Sequence, residues 1–378
     1  MWAQVWGFLY NNYFRLWLKW ILRLLTGKCE LQRLLGGAEA GALRTLSVEH
    51  SLEASKNKVL RNAVHVEETE VEKCVRDIMK EKRIEQKDTR FKTNLHISLL
   101  QISGYKKLYL NVENLRRVPY DSENEEHEEQ LIELWNLLMP HKNLKARISK
   151  QWCDIGFQGE DPKTDFRGMG LLGLVNLVYF SKHYTDEARQ ILSRSNHPKL
   201  GYSYAIVGIN LTEMAYSLLK NGTLKGHLYN MVSGLPQMKH FHQFYCYLVY
   251  EFDKFWFEEE PESIMHFNQY REKFHEKIKG LLLDYSVVLT LQDTKKPSTE
   301  QALPLREHPS PPNSECQVDQ LCKCVILENR TSKQLFRKFK LRSRVPQERE
   351  KPDLNCLLKI LLRYLPPLSG TSCTVKTD

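Results

Sequence analysis

The stretch Trp152-Cys-Asp-Ile-Gly-Phe-Gln-Gly-Glu-Asp-Pro-Lys-Thr-Asp-Phe-Arg-Gly-Met-Gly-Leu-Leu-Gly-Leu-Val-Asn-Leu-Val-Tyr-Phe180 decides how this chain is read. Its first half is a charged, turn-rich loop, and its second half, from Leu171, is almost wholly apolar. The apolar half predicts a core helix, with Gly168, Gly170 and Gly173 letting its start pack closely. A single arginine, Arg167, stands between Phe166 and Gly168. A glycine beside an arginine lets the backbone approach another surface, because no side chain intervenes. The loop also carries Glu160, Asp161 and Asp165, so residue type alone favours an ion pair that pins Arg167.

Outward from this stretch the periodicity is helical. Val71, Cys74, Val75, Ile78 and Met79 share one face of a helical pattern that runs from Ser47 to about Asp88. A second run covers Asn94 to Tyr109, with Gly104 weakening its middle. Leu131, Leu134, Trp135 and Leu138 give another face, which Pro140 ends, and a short helix is expected from Leu144 to Trp152. Downstream, Asp186 to Leu192 reads as a helix with Thr185 as N-cap. Ser203 to Lys220 reads as a buried helix closed by Asn221-Gly222. Pro236 starts a long aromatic helix through Phe257, and Ile264 to Leu283 is amphipathic. Period-two alternation is nearly absent. The expected fold class is therefore all-α, with about ten helices around one core.

The net charge of +9 is unevenly spread. Residues 292–378 hold 16 Lys and Arg against 10 Asp and Glu, while the first 291 residues are close to neutral. The basic excess thus belongs to the C-terminal end, and no nucleic-acid partner is expected. That end also holds nine of the 15 prolines and five of the nine cysteines, and it reads as a disordered tail. Within it, residues 333–344 hold six basic side chains among Leu335, Phe336, Phe339 and Leu341, most simply a solvated charge run. The remaining cysteines are scattered singly, which suits a reducing, cytoplasmic compartment.

Met1 to Leu25 is the most apolar long stretch, rich in Trp, Tyr and Phe. Asn11, Arg15, Lys19 and Arg23 recur every four residues and make one polar stripe on an aromatic surface. Three cations are costly at a bilayer centre and argue against a spanning helix. No small-residue cleavage site follows, as a signal peptide would need. The pattern fits a helix lying in a membrane interface, and it fits equally a helix docked on the protein's own core. With a cytoplasmic chain the first reading means peripheral association with an intracellular membrane, and it does not distinguish the endoplasmic reticulum, a lipid droplet or a mitochondrial surface. Cys29 lies just beyond, where acylation is chemically feasible.

Motifs of self-contained catalysis are missing. Gly168-Met-Gly170-Leu-Leu-Gly173 matches G-x-G-x-x-G, but the charged run before it is no strand and no βαβ unit surrounds it. There is no Walker A sequence, no His-Glu-x-x-His and no Gly-x-Ser-x-Gly. His240 and His242, two apart on a helix, point to different faces, so joint metal ligation is not expected. Cys322-Lys-Cys324 lacks a second pair at zinc spacing. No cofactor and no metal is expected.

The spacing Trp152-x-x-x-Gly-Phe-Gln-Gly-x-Asp-Pro-x-Thr-Asp-Phe-Arg-Gly-x-Gly-x-Leu-Gly-Leu resembles the signature of the ELMO domain. Ser195-Asn-His-Pro198, Gly201-Tyr-Ser-Tyr-Ala-Ile-Val-Gly-Ile-Asn-Leu-Thr212 and Phe255-Trp-Phe-Glu258 follow in that family's order. Thr26-Gly-Lys-Cys-Glu-Leu-Gln-Arg33 and the aromatic N-terminus resemble the ELMO-domain-containing proteins as well. The resemblance covers residues 1–291, and from about Leu291 the sequence departs from the family pattern. The chain accordingly reads as a docking or membrane-interface helix in residues 1–30, an all-helical ELMO-type domain in 31–291, and a divergent tail in 292–378.

The resemblance implies an activator of small GTPases of the Arf and Arf-like class, a regulator of an enzyme with no hydrolase site of its own. It implies that Arg167 is the catalytic arginine. Gln158, Asp161, Lys163, Asp165 and Gly168 are then expected to support that arginine or to touch the GTP-bound partner. An arginine inserted in trans stabilises the charge that develops on phosphate oxygens, and its planar fork bonds two of them at once. A different reading is a non-catalytic ELMO-type scaffold that binds exchange factors of the DOCK type. The arginine between Phe166 and Gly168 is the feature that favours the activator.

Overall fold

The apolar segment after Arg167 forms the helix around which the others pack. In this computed structural model residues 15–37 and 40–291 are described, and every regular element among them is helical. The first helices are α1 (Arg15–Thr26), α2 (Glu30–Gly37), α3 (Ala42–Glu53), α4 (Lys58–Ala63) and α5 (Val71–Glu81). The long α6 (Thr89–Arg117) and α7 (Glu125–Leu138) follow. Then come α8 (Gly170–His183), α9 (Thr185–Ser195), α10 (Tyr204–Lys220), α11 (Lys225–Met231), α12 (Met238–Glu259) and α13 (Phe267–Leu282). The chain divides into two units, Met1–Lys296 and Pro297–Asp378, and only the first contains described residues. The tail expected after Leu291 and the part of the aromatic helix before Arg15 lie outside them.

Helix α8 packs against α6, α7, α9, α10 and α12. Its Leu171, Leu172, Leu174, Leu177, Val178 and Phe180 are all buried, and the stripe of Val175, Tyr179 and Lys182 is left partly open. Each such side chain is worth about 2 kcal/mol of transfer free energy. That burial holds the helix in place of a cap, for Met169 at its N-cap position makes no side-chain capping bond. One polar group is taken into this core with its bonds made. Asn176 donates to Thr212 Oγ1 at 3.1 Å and accepts from His242 Nδ1 at 2.7 Å. Left unpaired, such a buried amide would cost about 1–3 kcal/mol.

Helix α6 joins two groups of helices. It touches α2, α3 and α5 on one side and α8, α10, α11 and α12 on the other. Gly104 lies where another segment crosses it, and a Cβ there would stand 2.6 Å from Pro236 Cδ. The residue that weakens the helical pattern is therefore the one that admits the crossing. Near it, Gln101 donates to Tyr229 O at 2.8 Å, and Tyr105 OH donates to Leu219 O at 2.6 Å.

Several boundaries differ from the periodicity. The pattern from Ser47 to Asp88 breaks into α3, α4 and α5, with Asn57 capping α4 through Val59 N at 2.8 Å. The run from Asn94 to Tyr109 extends to all 29 residues of α6. No helix forms over residues 144–149. Backbone groups there bond elsewhere: Lys145 N donates to Gln151 Oε1 at 2.8 Å, and Ser149 N donates to Glu160 O at 2.9 Å. A 3-10 helix, Lys150–Ile155, replaces the expected one. Thr185 is the first residue of α9 rather than its N-cap. Helix α8 runs so nearly into α9 that Tyr184 N still bonds Phe180 O, and Thr185 Oγ1 turns back to Lys182 O at 3.3 Å. The Asn221-Gly222 stop of α10 forms as expected, with Gly222 at φ +82°.

His240 and His242 serve separate ends: His240 Nδ1 accepts from Gln237 N at 2.9 Å, while His242 bonds Asn176. His227 Nδ1 accepts from Leu289 N at 3.1 Å, which ties the end of the described chain onto α11. Burial, with His240 nearby, lowers the His227 pKa to about 4, and burial, with His183 nearby, does the same for His242. Both folded values lie below the unfolded one. The stability these groups contribute is therefore present above about pH 6.5 and lost as pH falls toward 4. Each is expected to account for roughly 3 kcal/mol over that window. Urea unfolding from about pH 7 to about pH 4 checks this, and His227→Gln should flatten the fall.

Candidate functional site

The loop that carries Arg167 is built on a row of aromatic rings. Trp135 of α7 meets Trp152 edge-on at 5.5 Å, Trp152 meets Phe157 at 5.9 Å, Phe157 meets Phe166 at 5.6 Å, and Phe166 meets Tyr120 at 5.1 Å. All five rings are buried. The two indole N–H groups donate to loop carbonyls, Trp135 to Lys142 O at 2.7 Å and Trp152 to Arg147 O at 2.8 Å. Burying large rings while bonding their polar edges holds an otherwise irregular segment to one path.

Two glycines weld this path to its neighbours. Gly156 has φ +84°, and a Cβ there would lie 2.2 Å from Tyr204 N. Its carbonyl accepts from Ile206 N at 3.2 Å, satisfying one of the open N–H groups in the first turn of α10. Gly170 has φ +52°, and a Cβ there would lie 2.3 Å from Arg116 O and 2.4 Å from Val118 O, at the end of α6. The next amide, Leu171 N, donates to Val118 O at 2.8 Å. Of the three glycines of the G-x-G-x-x-G match, Gly170 is thus a packing device at a helix junction, whereas Gly168, expected to pack closely as well, has nothing within 4 Å of where its Cβ would stand.

Between these welds lies the 3-10 helix Pro162–Arg167. Asp161 caps it, accepting from Lys163 N at 3.0 Å, and Pro162 occupies the first position, where its missing N–H costs nothing. Pro162 and Phe166 are buried and face the protein, whereas Lys163, Thr164, Arg167 and Gly168 are exposed. Arg147 anchors the cap from behind. Its Nη1 donates to Asp161 Oδ1 at 3.0 Å, and its Nη2 donates to Glu128 Oε1 of α7 at 2.9 Å.

The expected site residues do not all converge on Arg167. Asp161 is engaged by Arg147, and Lys163 Nζ donates to Ser122 Oγ at 3.1 Å. Asp165 accepts the backbone N–H of the exposed Gln158 at 2.8 Å. Burial raises the Asp165 pKa above the usual range, against the Gln158 bond and the charge of Arg167, which both lower it. No ion pair pins Arg167 among the described residues. Its Nε donates to the Thr164 carbonyl at 2.8 Å, and its two terminal amino groups take no partner among the described residues. Gly168 has an ordinary helical φ of −81°, and nothing lies within 4 Å of where its Cβ would stand. Sequence reasoning passed over Arg147, Glu128 and Gly156. Gly156 carried a readable sign, a glycine directly after Trp-Cys-Asp-Ile, but Arg147 and Glu128 are 19 residues apart and only the fold pairs them.

The site therefore presents a guanidinium on an open surface, with its stem fixed and its fork turned outward. Among the described residues no three His, Cys, Asp or Glu side chains come together to hold a metal. The site suits contact with a group that accepts two hydrogen bonds, such as a phosphate.

Comparison with known proteins identifies the family. The profile of the ELMO/CED-12 family matches residues 110–271, which include the whole arginine loop and α8. ELMO domain-containing protein 2 of Bos taurus is 70% identical over 293 residues, 77% of this chain and 100% of that protein. ELMO domain-containing protein 1 of Mus musculus is 49% identical over 74% of this chain and 91% of its own length. ELMO domain-containing protein B of Dictyostelium discoideum is 37% identical over 69% and 92%. The chain belongs to the ELMO/CED-12 family. No solved structure matches it.

The two neighbouring glycines should respond oppositely to alanine. Gly170→Ala forces a methyl group into the α6 carbonyls and is expected to cost about 3 kcal/mol or more. Gly168→Ala should leave stability within about 1 kcal/mol of wild type, or raise it slightly. Thermal and urea unfolding of the two variants checks the contrast.

Proposed function

We propose that this protein accelerates GTP hydrolysis on small GTPases of the Arf and Arf-like class by supplying Arg167 in trans. The observation that carries the reading is the state of Arg167: stem bonded to Thr164 O, terminal amino groups without a partner among the described residues, side chain exposed. A residue kept for stability would have its charge met by one of the carboxylates nearby. Here Asp161 is bonded by Arg147 and Asp165 by a backbone amide, and Asp165 feels the Arg167 charge without forming an ion pair with it among the described residues. Gly168 adds support, because no internal contact or backbone angle calls for glycine there, while a partner surface close to the arginine would.

In the proposed complex the protein contributes a positioned positive charge, and the partner contributes nucleotide, magnesium and water. Developing charge on the phosphate oxygens meets the guanidinium fork in a cleft from which bulk water is displaced. The aromatic row beneath the loop holds the arginine in place before docking, so little ordering cost falls on the encounter.

A second reading, compatible with the first, concerns α1. Trp17, Trp20, Leu24 and Leu25 are each more than half exposed there, while Leu18, Ile21 and Leu22 are half-buried. A helix with an exposed aromatic side fits peripheral contact with a lipid surface. No described helix is long and apolar enough to cross a membrane.

Arg167→Lys keeps the charge but loses the fork, and it is expected to lower the stimulated rate by about 10³-fold or more. Single-turnover hydrolysis of GTP bound to purified Arf and Arf-like proteins measures this, with the melting temperature as a control for folding. Full stimulation by the variant would reject Arg167 as the inserted residue and leave the surface as a binding platform, as in the scaffold reading.

A further inference from the structure

A groove of about 720 Å³ opens where α1 meets the turn between α3 and α4. Four cationic residues line it: Lys19 and Arg23 from α1, Lys56 from the turn, and Lys82 just after α5. The one acidic residue in its lining, Glu30, is already engaged, bonded by Lys19 Nζ at 2.6 Å and Ser51 Oγ at 2.9 Å. Glu81, at the rim, accepts from Asn57 Nδ2. Arg23, Lys56 and Lys82 form no ion pair among the described residues. Three uncompensated cations around one groove make a strong local field for an anion.

The groove does not stand alone on its surface. Trp20 is part of its wall and is 60% exposed. On α1 the positions 17, 20 and 24 share a face, so Trp20 belongs both to the basic groove and to the exposed apolar side formed with Trp17 and Leu24. Cations that gather an anion, set directly beside side chains that want an acyl layer, suit a molecule charged at one end and apolar at the other. Residues 1–14 of this chain would be poor occupants, since they contain no Asp or Glu to meet the cations.

We infer that this groove binds the phosphorylated headgroup of an anionic lipid while the exposed face of α1 enters the adjoining interface. The inference rests on the membrane reading of α1 and adds to it a headgroup preference. A headgroup with several phosphates fits the three open cations better than a single phosphodiester. Lys56 and Lys82 come from outside α1, so the preference belongs to the folded domain and not to the helix by itself.

The test is sedimentation of the full chain with vesicles of phosphatidylcholine alone, with added phosphatidylinositol bisphosphate, or with phosphatidylserine at matched charge. Wild type is expected to bind the bisphosphate vesicles about tenfold more tightly than neutral ones. Lys56→Glu with Lys82→Glu should remove that preference and leave binding to neutral vesicles unchanged. Trp20→Ser with Leu24→Ser should weaken binding to all three. Equal binding of wild type to neutral and bisphosphate vesicles, or an unchanged preference in the double lysine variant, overturns the groove and leaves the membrane reading standing. Wild type that sediments with no vesicle overturns both. Inositol trisphosphate that binds without vesicles as tightly as the lipid would assign the groove to a free phosphate and overturn the lipid assignment. Melting temperatures of the variants exclude unfolding as the cause of any loss.

Discussion

The row of rings from Trp135 to Tyr120 is the interaction on which the candidate site depends. The segment between α7 and α8 has little regular structure, so a few isolated backbone hydrogen bonds do not hold it by themselves. Edge-on aromatic contacts and two indole N–H bonds hold it instead. With the rings in place, Pro162 and Phe166 turn inward and the residues between and after them turn outward. The exposure of Arg167 is thus a by-product of what its neighbours bury.

The regular helices were legible where a single face or a whole surface was apolar. Helix α8 is the clearest case, since ten residues with hardly a charge have nowhere to go but the core. The irregular parts were less legible, because their bonds come from elsewhere in the chain. Ser149 N finds Glu160 O, and the first turn of α10 finds Gly156 O, and neither pairing leaves a periodic mark. The aromatic and glycine residues of the loop were visible as types, but their roles depended on what they meet.

Charge was the least legible feature. Three carboxylates near an arginine in sequence predicted an ion pair, and the fold distributed them otherwise. Whether a carboxylate reaches a guanidinium depends on loop direction, which composition does not encode. The same holds for Arg147, unremarkable in sequence, which joins α7 to the cap of the arginine turn.

Helix α6 deserves a last consideration for its length. Its 29 residues make a rod of about 44 Å. At one end Asn94 bonds Leu35 O of α2, beside the helices that carry the basic groove. At the other, Arg116 and Val118 present the carbonyls that seat Gly170 and Leu171, next to the arginine turn. The rod sets a fixed stand-off between the two surfaces. If α1 rests on a lipid surface, as proposed, the arginine would be held at a fixed distance from it. On that proposal, a partner tethered to the same support would meet the arginine only if its own reach matched that distance, and α6 would act as a gauge as well as a scaffold.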